Sequence, residues 1–580
     1  MNARAETAAA ARIIPPIQLA AAAIVAFVVL VQGISAPFQK DAEPQSAEWI
    51  VSVVRDGNWL VPRDYYEFID RKPPLYYWLS AIVTKATGGT VDETRARIVS
   101  VFCATLIALE VLAWTASEVG VAQGWLAFLF LLGIYGFSSR ATLALTDMLM
   151  TALLMSAYLV AYPMLEGEAS LARTAVLGCL LGLGILTKGP LVLILIGLAG
   201  VIYLLLGRRD VIAALRRAWP WQAAALAVAI GACWYVPWLA IGGRRELGIF
   251  LNENLGHFAP RAFGGTGEAS RPIWYILARL IGGANPVILL APATLAAFAT
   301  GEVRESARRP LLFQASFVAA VILFFSVASA KRDDYILPAL PAVAILSAGA
   351  FGLGPPATGF AGGAKIRDGV CWLIAFAALL AVVLSLVTAR SHPQLSLQSS
   401  DSELMMLLER GIGSRALPFV AFLAVSSVAA IAAIVLLSNR SILLAGFAIG
   451  LVSLSGVVLM DAIVRPELAW ARGYKSFVER IRRQLDGHRL FVVRDADFEL
   501  SFYYGSGVPP LTGTRAVAPP VDTASMLIAR DAELAMLPES YRGRLRLIEK
   551  SNLLSKEGAP ALYLIEVRPG GLNGGGGIAR

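Results

Sequence analysis

Charge is scarce in this sequence. Only 16% of its 580 residues are Asp, Glu, Lys or Arg, 57% are hydrophobic, and the mean hydropathy is +0.65. Soluble domains carry about 25% charged residues, so this balance excludes an ordinary soluble domain and points to a polytopic membrane protein. Cysteine is rarer still. Cys103, Cys179, Cys233 and Cys371 stand alone in apolar runs, and no C-x-x-C pair exists. They read as small core residues, which excludes a disulfide framework or a thiolate metal site. The chain also lacks a P-loop, a G-x-G-x-x-G motif and any repeat of fixed period. Its formal charge of +9 does not indicate nucleic-acid binding, because much of the excess lies in short loops such as G-R-R-D-V-I-A-A-L-R-R, as the positive-inside rule requires.

What is present is a series of hydrophobic runs of spanning length. They lie at 14–36, 95–117, 121–138, 142–164, 171–187, 190–207, 219–241, 273–299, 311–329, 335–353, 369–389, 415–437 and 441–460, about thirteen spans. The first follows an N-terminus that superficially resembles a signal peptide. It is about 20 residues long without a clear small-residue cleavage site, so it reads as a retained span. With the N-terminus inside, the loops at 207–218, 301–310 and Lys365–Arg367 are cytoplasmic, and all three are basic. The loops at 37–93, 139–147, 242–272, 330–334 and 390–414 then share the other face with everything after residue 461. That tail alternates helix-like K-S-F-V-E-R-I-R-R-Q-L with strand-like H-R-L-F-V-V-R and A-L-Y-L-I-E-V-R. The expectation is a membrane domain over 1–461, a small soluble α/β domain over 462–570, and a disordered Gly-rich end over 571–580.

The first loop, 37–93, is unusually long and polar. It places Asp41, Glu43 and Glu48 at its start, predicts a short amphipathic helix, and ends in a basic-aromatic knot from Arg71 to Trp78. The same face collects Lys72 in R-K-P-P-L-Y-Y-W, Asp147 in A-L-T-D-M-L-M and Lys188 in L-T-K-G-P. It also holds Glu253, Asn254, His257 and Arg261 in L-N-E-N-L-G-H-F-A-P-R, and Lys331, Arg332, Asp333, Asp334 and Tyr335 in K-R-D-D-Y. Each has a plainer reading. The loop as a whole fits a bland juxtamembrane connection, Lys188 a helix-end lysine snorkelling to the interface, Asp147 a helix N-cap, and His257 a solvated loop histidine. Lys331 and Arg332 sit where positive charge is disfavoured, which favours an anionic ligand. Together these types allow one chemistry. Asp41 or Glu43 with Asp147 could hold a divalent cation through oxygen ligands, or a carboxylate could deprotonate an acceptor hydroxyl. The cations could stabilise a phosphate leaving group, and an apolar groove between spans could hold a lipid tail. The sum is displacement of a lipid phosphate from a bound sugar.

The order of these stretches resembles the GT-C glycosyltransferases, in the branch of the lipid A aminoarabinose transferase and the protein O-mannosyltransferases. The resemblance runs over roughly residues 14–355 and rests on the acidic first-loop entry, G-N-W-L-V-P-R, K-P-P-L-Y-Y-W-L, the Asp147 context, L-T-K-G-P and K-R-D-D-Y-I-L-P-A-L-P. It implies an inverting, metal-assisted transfer from a polyprenyl-phosphate sugar to lipid A, a related glycolipid or protein, on the periplasmic face of a bacterial inner membrane. Lys72 would contact the donor phosphate, with Lys188, Arg261, Lys331, Arg332 and Tyr335 in the same region. Asp41, Glu43 and Asp147 would be catalytic, Asp41 and Asp147 would hold Mg, Mn or Zn, and His257 and Glu253 are further candidates. The entry departs from the family. Ala42 stands where the family has Asp, Gln45 where it has Arg, and Arg71 where it has Glu, so Asp41, one residue early, and Glu43 compete as the base. A transporter for a lipid-linked sugar is the competing class. Transporters usually place charges near the midplane in matched repeats, whereas here they gather at one face. A noncatalytic relative is the third reading, suggested by Ala42.

Overall fold

The computed structural model describes residues 13–38, 42–69, 72–256, 271–328, 330–357, 359–391, 416–485, 488–493, 497–511, 525–534, 537, 543–551 and 562–568. Every hydrophobic run coincides with helix, but the count of thirteen spans is not reached. Nine helices among the described residues are long and apolar enough to cross a membrane, and eleven if each of two bent pairs is one span. Helices Val121–Leu132 and Tyr135–Ala141 meet at 66°, and Tyr275–Gly283 and Val287–Thr300 at 105°. Gly133 lies in the first break and Pro286 in the second, the residue types that interrupt a helix most cheaply. The runs at 14–36 and 190–207 give helices of 15 and 16 residues, Pro16–Leu30 and Leu191–Leu206, short of the ~20 a bilayer needs.

Polar contacts sort the connections by end. Glu166 accepts hydrogen bonds from Arg209 and Arg309, each at 2.9 Å. Glu302 accepts from the N–H groups of Gly363 and Ala364, at 2.7 and 2.9 Å. The basic loops at 207–218 and 301–310 therefore lie together, with the start of helix Gly362–Ser391 beside them.

The long polar segment lies at the other end. It opens with helix Ala42–Arg55, which packs Ala47, Ile50 and Val53 against Tyr76, Tyr77 and Ala81 of helix Leu75–Ala86. The chain beyond the last span meets it there. Helix Ile442–Leu459 runs through a wider turn, Met460–Val464, into helix Arg465–Arg472. Asp461 in that turn is bound by Arg465 at 2.7 Å and by the Ser138 hydroxyl. Next come helix Lys475–Ile481, β1 (Arg489–Val492), helix Phe498–Tyr504, β2 (Ser525–Arg530), β3 (Leu545–Lys550) and β4 (Leu562–Val567). The strands pair in the order β1-β2-β4-β3, parallel between β1 and β2 and antiparallel elsewhere. Central β2 is buried on both faces, packing Met526 and Ile528 towards Phe477 and Ile481, and Leu527 and Ala529 towards Leu537. The small α/β unit at the C-terminus is present. The helix and the two strands read from the sequence form, and β2, β3 and helix Phe498–Tyr504 join them.

This unit docks on the first loop. The Tyr66 hydroxyl shares a hydrogen bond with Ser501 Oγ at 2.6 Å and donates to the Val508 carbonyl at 3.1 Å. Glu93 accepts from Lys475 and from the Tyr503 hydroxyl, both at 2.9 Å.

Candidate active site

A helical hairpin creates the central pair. Helix Thr146–Leu165 runs towards the basic end, residues 166–170 turn the chain, and helix Leu171–Lys188 returns. Asp147 in the first turn of one helix and Lys188 at the last position of the other thus stand side by side. Lys188 Nζ lies 2.5 Å from Asp147 Oδ1, and both side chains are largely enclosed. Gly189 then turns the chain with φ +78°, a conformation that suits glycine. A Cβ there would sit 2.7 Å from Asn254 Oδ1, so the turn after Lys188 fits closely against Asn254.

Three further groups converge on this pair. The ring of Tyr335 lies 5.9 Å from Lys188 Nζ and stacks on Phe325. Lys72 and Arg332 both act electrostatically on the Asp147 carboxylate. Arg140, which sequence reasoning passed over, donates to Asp334 at 3.0 Å, with Arg332 3.9 Å from the same carboxylate. Among the described residues, Lys72, Lys188 and Arg332 thus gather around Asp147, and Arg140 and Arg332 around Asp334. Lys72 is held by its sequel. Pro73 and Pro74 restrict the backbone, and two residues on Tyr76 is fully buried with its hydroxyl donating to the Ala96 carbonyl at 2.7 Å. Lys331 is buried and donates to the Ala328 carbonyl at 2.7 Å, which commits one of its three N–H donors locally.

Two expectations change. Glu43 is not placed for acid-base work. It is completely buried and accepts from Arg97 Nε at 2.9 Å, Arg97 Nη2 at 3.1 Å and the Ala144 N–H at 2.9 Å. Arg97 is equally buried and also donates to the carbonyls of Ile34, Ala36 and Pro37. Glu43 therefore ties the start of the first loop to the segment three residues before Asp147. The second change concerns metal. Among the described residues no three His, Cys, Asp or Glu side chains gather as a metal site. Asp147 is engaged by an ammonium group and surrounded by further cations, an environment that opposes a dication. The other ligand expected, Asp41, lies outside the described residues, and no step is derived through a metal. His257 and Arg261 lie outside the described residues as well. Glu253 lies on the turn Asn252–Gly256, next to the Asn254 that packs on Gly189.

Arg97 could have been found. It is an arginine at the mouth of a hydrophobic run, where a charge demands a partner. Arg140 gave no comparable signal, being one more cation at a span end.

Residues 71–238 match the family model of dolichyl-phosphate-mannose-protein mannosyltransferases. The chain is 29% identical over 305 residues to undecaprenyl phosphate-alpha-4-amino-4-deoxy-L-arabinose arabinosyl transferase 1 of Pseudomonas fluorescens (strain Pf0-1), covering 50% of each. It is 30% identical over 322 residues to the transferase of that name in Erwinia tasmaniensis, covering 53% of this chain and 54% of the relative. The chain thus spans about half the length of the curated relatives it matches. Its fold extends further. The crystal structure of ArnT from Cupriavidus metallidurans bound to undecaprenyl phosphate superposes with a TM-score of 0.70 at 19% identity, over 95% of this chain and 97% of ArnT. The apo form gives 0.67 at 20% identity. The expected GT-C architecture is thereby found, and the sequence matches bear out the resemblance read from the motifs.

Proposed function

We propose that this protein is an integral-membrane glycosyltransferase that moves a sugar, with inversion, from a polyprenyl-phosphate donor to lipid A or a related envelope glycolipid. The observation that carries this reading is the enclosed Asp147–Lys188 pair with Lys72 and Arg332 beside it, at the end of the bundle that bears the long polar loop. A cluster of lysine and arginine side chains suits a phosphate. In the reaction the acceptor oxygen attacks the anomeric carbon, the bond from that carbon to the phosphate oxygen breaks, and polyprenyl phosphate leaves. Lys72, Lys188 and Arg332 stabilise the charge that develops on the leaving oxygen. The acceptor proton passes to a carboxylate of the same face, with Asp41 and Asp147 as candidates, and Asp147 also holds Lys188 in place. The active face is periplasmic and the basic loops are cytoplasmic.

The relatives named as aminoarabinose transferases support the undecaprenyl-phosphate carrier, and the ArnT fold supports the architecture. The mannosyltransferase family match favours protein as the second acceptor class. Mass spectrometry of envelope lipids from a deletion strain tests both. Loss of one sugar from lipid A or a related glycolipid is expected. Unchanged glycolipids with a missing protein glycan would move the reading to the second class. Transfer assays with purified protein then rank Asp41→Asn against Asp147→Asn, and a chelator is expected to alter the rate by less than about twofold. Loss of activity in chelator, restored by Mg2+, would bring a cation back to Asp41 and Asp147.

A further inference from the structure

A second polar recess lies away from the lysine cluster. A cavity of about 440 Å3 opens between the first loop and the C-terminal unit, within the ~300–1,000 Å3 usual for small-ligand sites. Helix Ala42–Arg55 supplies Glu48 and Ser52, the following loop supplies Asn58, Asp64 and Tyr65, and Gly507 closes the far side. The walls are fixed. Asn58 Nδ2 and the Arg63 N–H both donate to Ser52 Oγ, at 2.9 and 3.2 Å. Asp64 accepts from the N–H groups of Tyr66 and Phe68, both at 2.9 Å. A Cβ on Gly507 would stand 2.6 Å from the Tyr65 carbonyl oxygen, so loop and C-terminal unit meet tightly.

Glu48 is only half matched by the protein. Its side chain is 1% exposed, yet Oε1 has no hydrogen-bond partner among the described residues, while Oε2 accepts from the Tyr65 N–H at 3.1 Å. A buried oxygen left unmatched is costly, and Glu48 is one of the residues that line the cavity. Burial, with Asp64 and Asp497 nearby, pushes the Glu48 carboxyl up to about 9, so at neutral pH it can donate as well as accept. The two arginines of the lining are already neutralised, Arg55 by Asp56 at 2.8 Å and Arg63 by Glu67 at 3.0 Å. No positive surplus awaits a phosphate here. What remains is a mixture of hydroxyl, amide, carboxyl and backbone groups that suits uncharged, hydroxyl-rich ligands.

We propose that this cavity is a saccharide subsite that holds one sugar unit of the acceptor glycan, with Glu48 and Ser52 hydrogen-bonding its hydroxyls. The word acceptor rests on the transferase reading, whereas the binding of a sugar does not. The placement suits it. Glu43, joined to Ala144, and Glu48 are five residues apart on one helix, a rise of about 7.5 Å, so the subsite lies farther along that helix than the contact with the Asp147 segment.

The test is equilibrium binding of the N-acetylglucosamine disaccharide to the full chain in detergent, followed by saturation-transfer NMR. The parent should bind it. Ser506→Trp, at an exposed residue of the rim, should fill the opening and weaken binding at least about tenfold, the scale of one or two lost hydrogen bonds. Glu48→Leu should do the same, and Ser506→Trp decides if that variant does not fold. Lys72→Ala should leave disaccharide binding unchanged while donor use falls. Absence of binding by the parent, parental binding by Ser506→Trp, or a loss confined to Lys72→Ala would each overturn the subsite. Failure of sugar transfer in every assay, with disaccharide binding still sensitive to Ser506→Trp, would overturn the transferase reading and leave the subsite standing.

Discussion

Glu43 and Glu48 lie five residues apart on one amphipathic helix, and both are buried, at 0% and 1% exposure. Their situations are opposite. Glu43 receives a forked guanidinium and a backbone N–H, whereas Glu48 receives one backbone N–H and keeps an unmatched oxygen beside a cavity. A satisfied buried acid is part of the scaffold. An unsatisfied one waits for a partner, a ligand or a proton. Burial alone does not separate the two, and neither does position in the sequence. Asp147 is a third case, an acid held by one lysine while further cations stand near it without closing on it.

The sharpest way to break this comparison is at Arg97. Arg97→Ala leaves Glu43 buried without its cation, a change that costs about 3–5 kcal/mol. The expected outcome is poor insertion or a large fall in the thermal unfolding temperature of the detergent-solubilised protein. Replacing both Glu43 and Arg97 by methionine should recover much of the loss, because the uncompensated charge is gone. An Arg97→Ala protein as stable as the parent would show that the pair is not a clamp, and Glu43 would return as a candidate base.

A smaller effect is expected at Lys72. Lys72 is half-buried in a loop ahead of helix Leu75–Ala86, and Lys72→Ala should fold. A charged hydrogen bond to phosphate is worth about 1.5–3 kcal/mol, which predicts a tenfold to hundredfold fall in transfer from a purified polyprenyl-phosphate sugar. Lys72→Arg should keep part of that activity through charge. Parental transfer by Lys72→Ala would remove this residue from the donor site and would leave Asp147 and Lys188 as an ordinary helix-end pair.

Much of this architecture was legible in the sequence for a physical reason. A bilayer imposes one length and one polarity on its helices, so apolar runs announce themselves even where Gly133 or Pro286 bends the result. That Asp147 and Lys188 share one face was legible too, because a tight hairpin returns its second helix to the level where the first began, whereas their direct pairing appears only in the structure. Three things were not legible. Whether a run crosses fully or stops short at 15 or 16 residues depends on neighbours rather than on composition. The Glu43–Arg97 clamp joins residues 54 positions apart, and the docking of Tyr66 on Ser501 joins residues 435 apart, distances over which periodicity carries no information. The cavity at Glu48 arises only because the C-terminal unit covers the first loop, so no local pattern foretells it.

The effect most diagnostic for the comparison is a slope against pH, small over any one pH unit. The Glu48 carboxyl is pushed up to about 9 from an ordinary 4.5, first by burial and then by the neighbouring acids Asp64 and Asp497. Below about 4.5 both folded and unfolded chains hold the proton, and Glu48 costs nothing. Between 4.5 and 9 the unfolded chain releases the proton and the folded chain keeps it, so stability falls as pH rises. Above 9 the folded form ionises as well and the difference levels off. The slope has a ceiling of about 1.4 kcal/mol per pH unit, the value of one proton, and water entering the cavity reduces it. Glu48→Gln keeps the shape and removes the proton, so the variant should match the parent near pH 5 and exceed it in thermal stability near pH 8. Identical pH profiles for the parent and Glu48→Gln would mean that Glu48 is already ionised and paired in the folded protein, and the contrast with Glu43 would disappear.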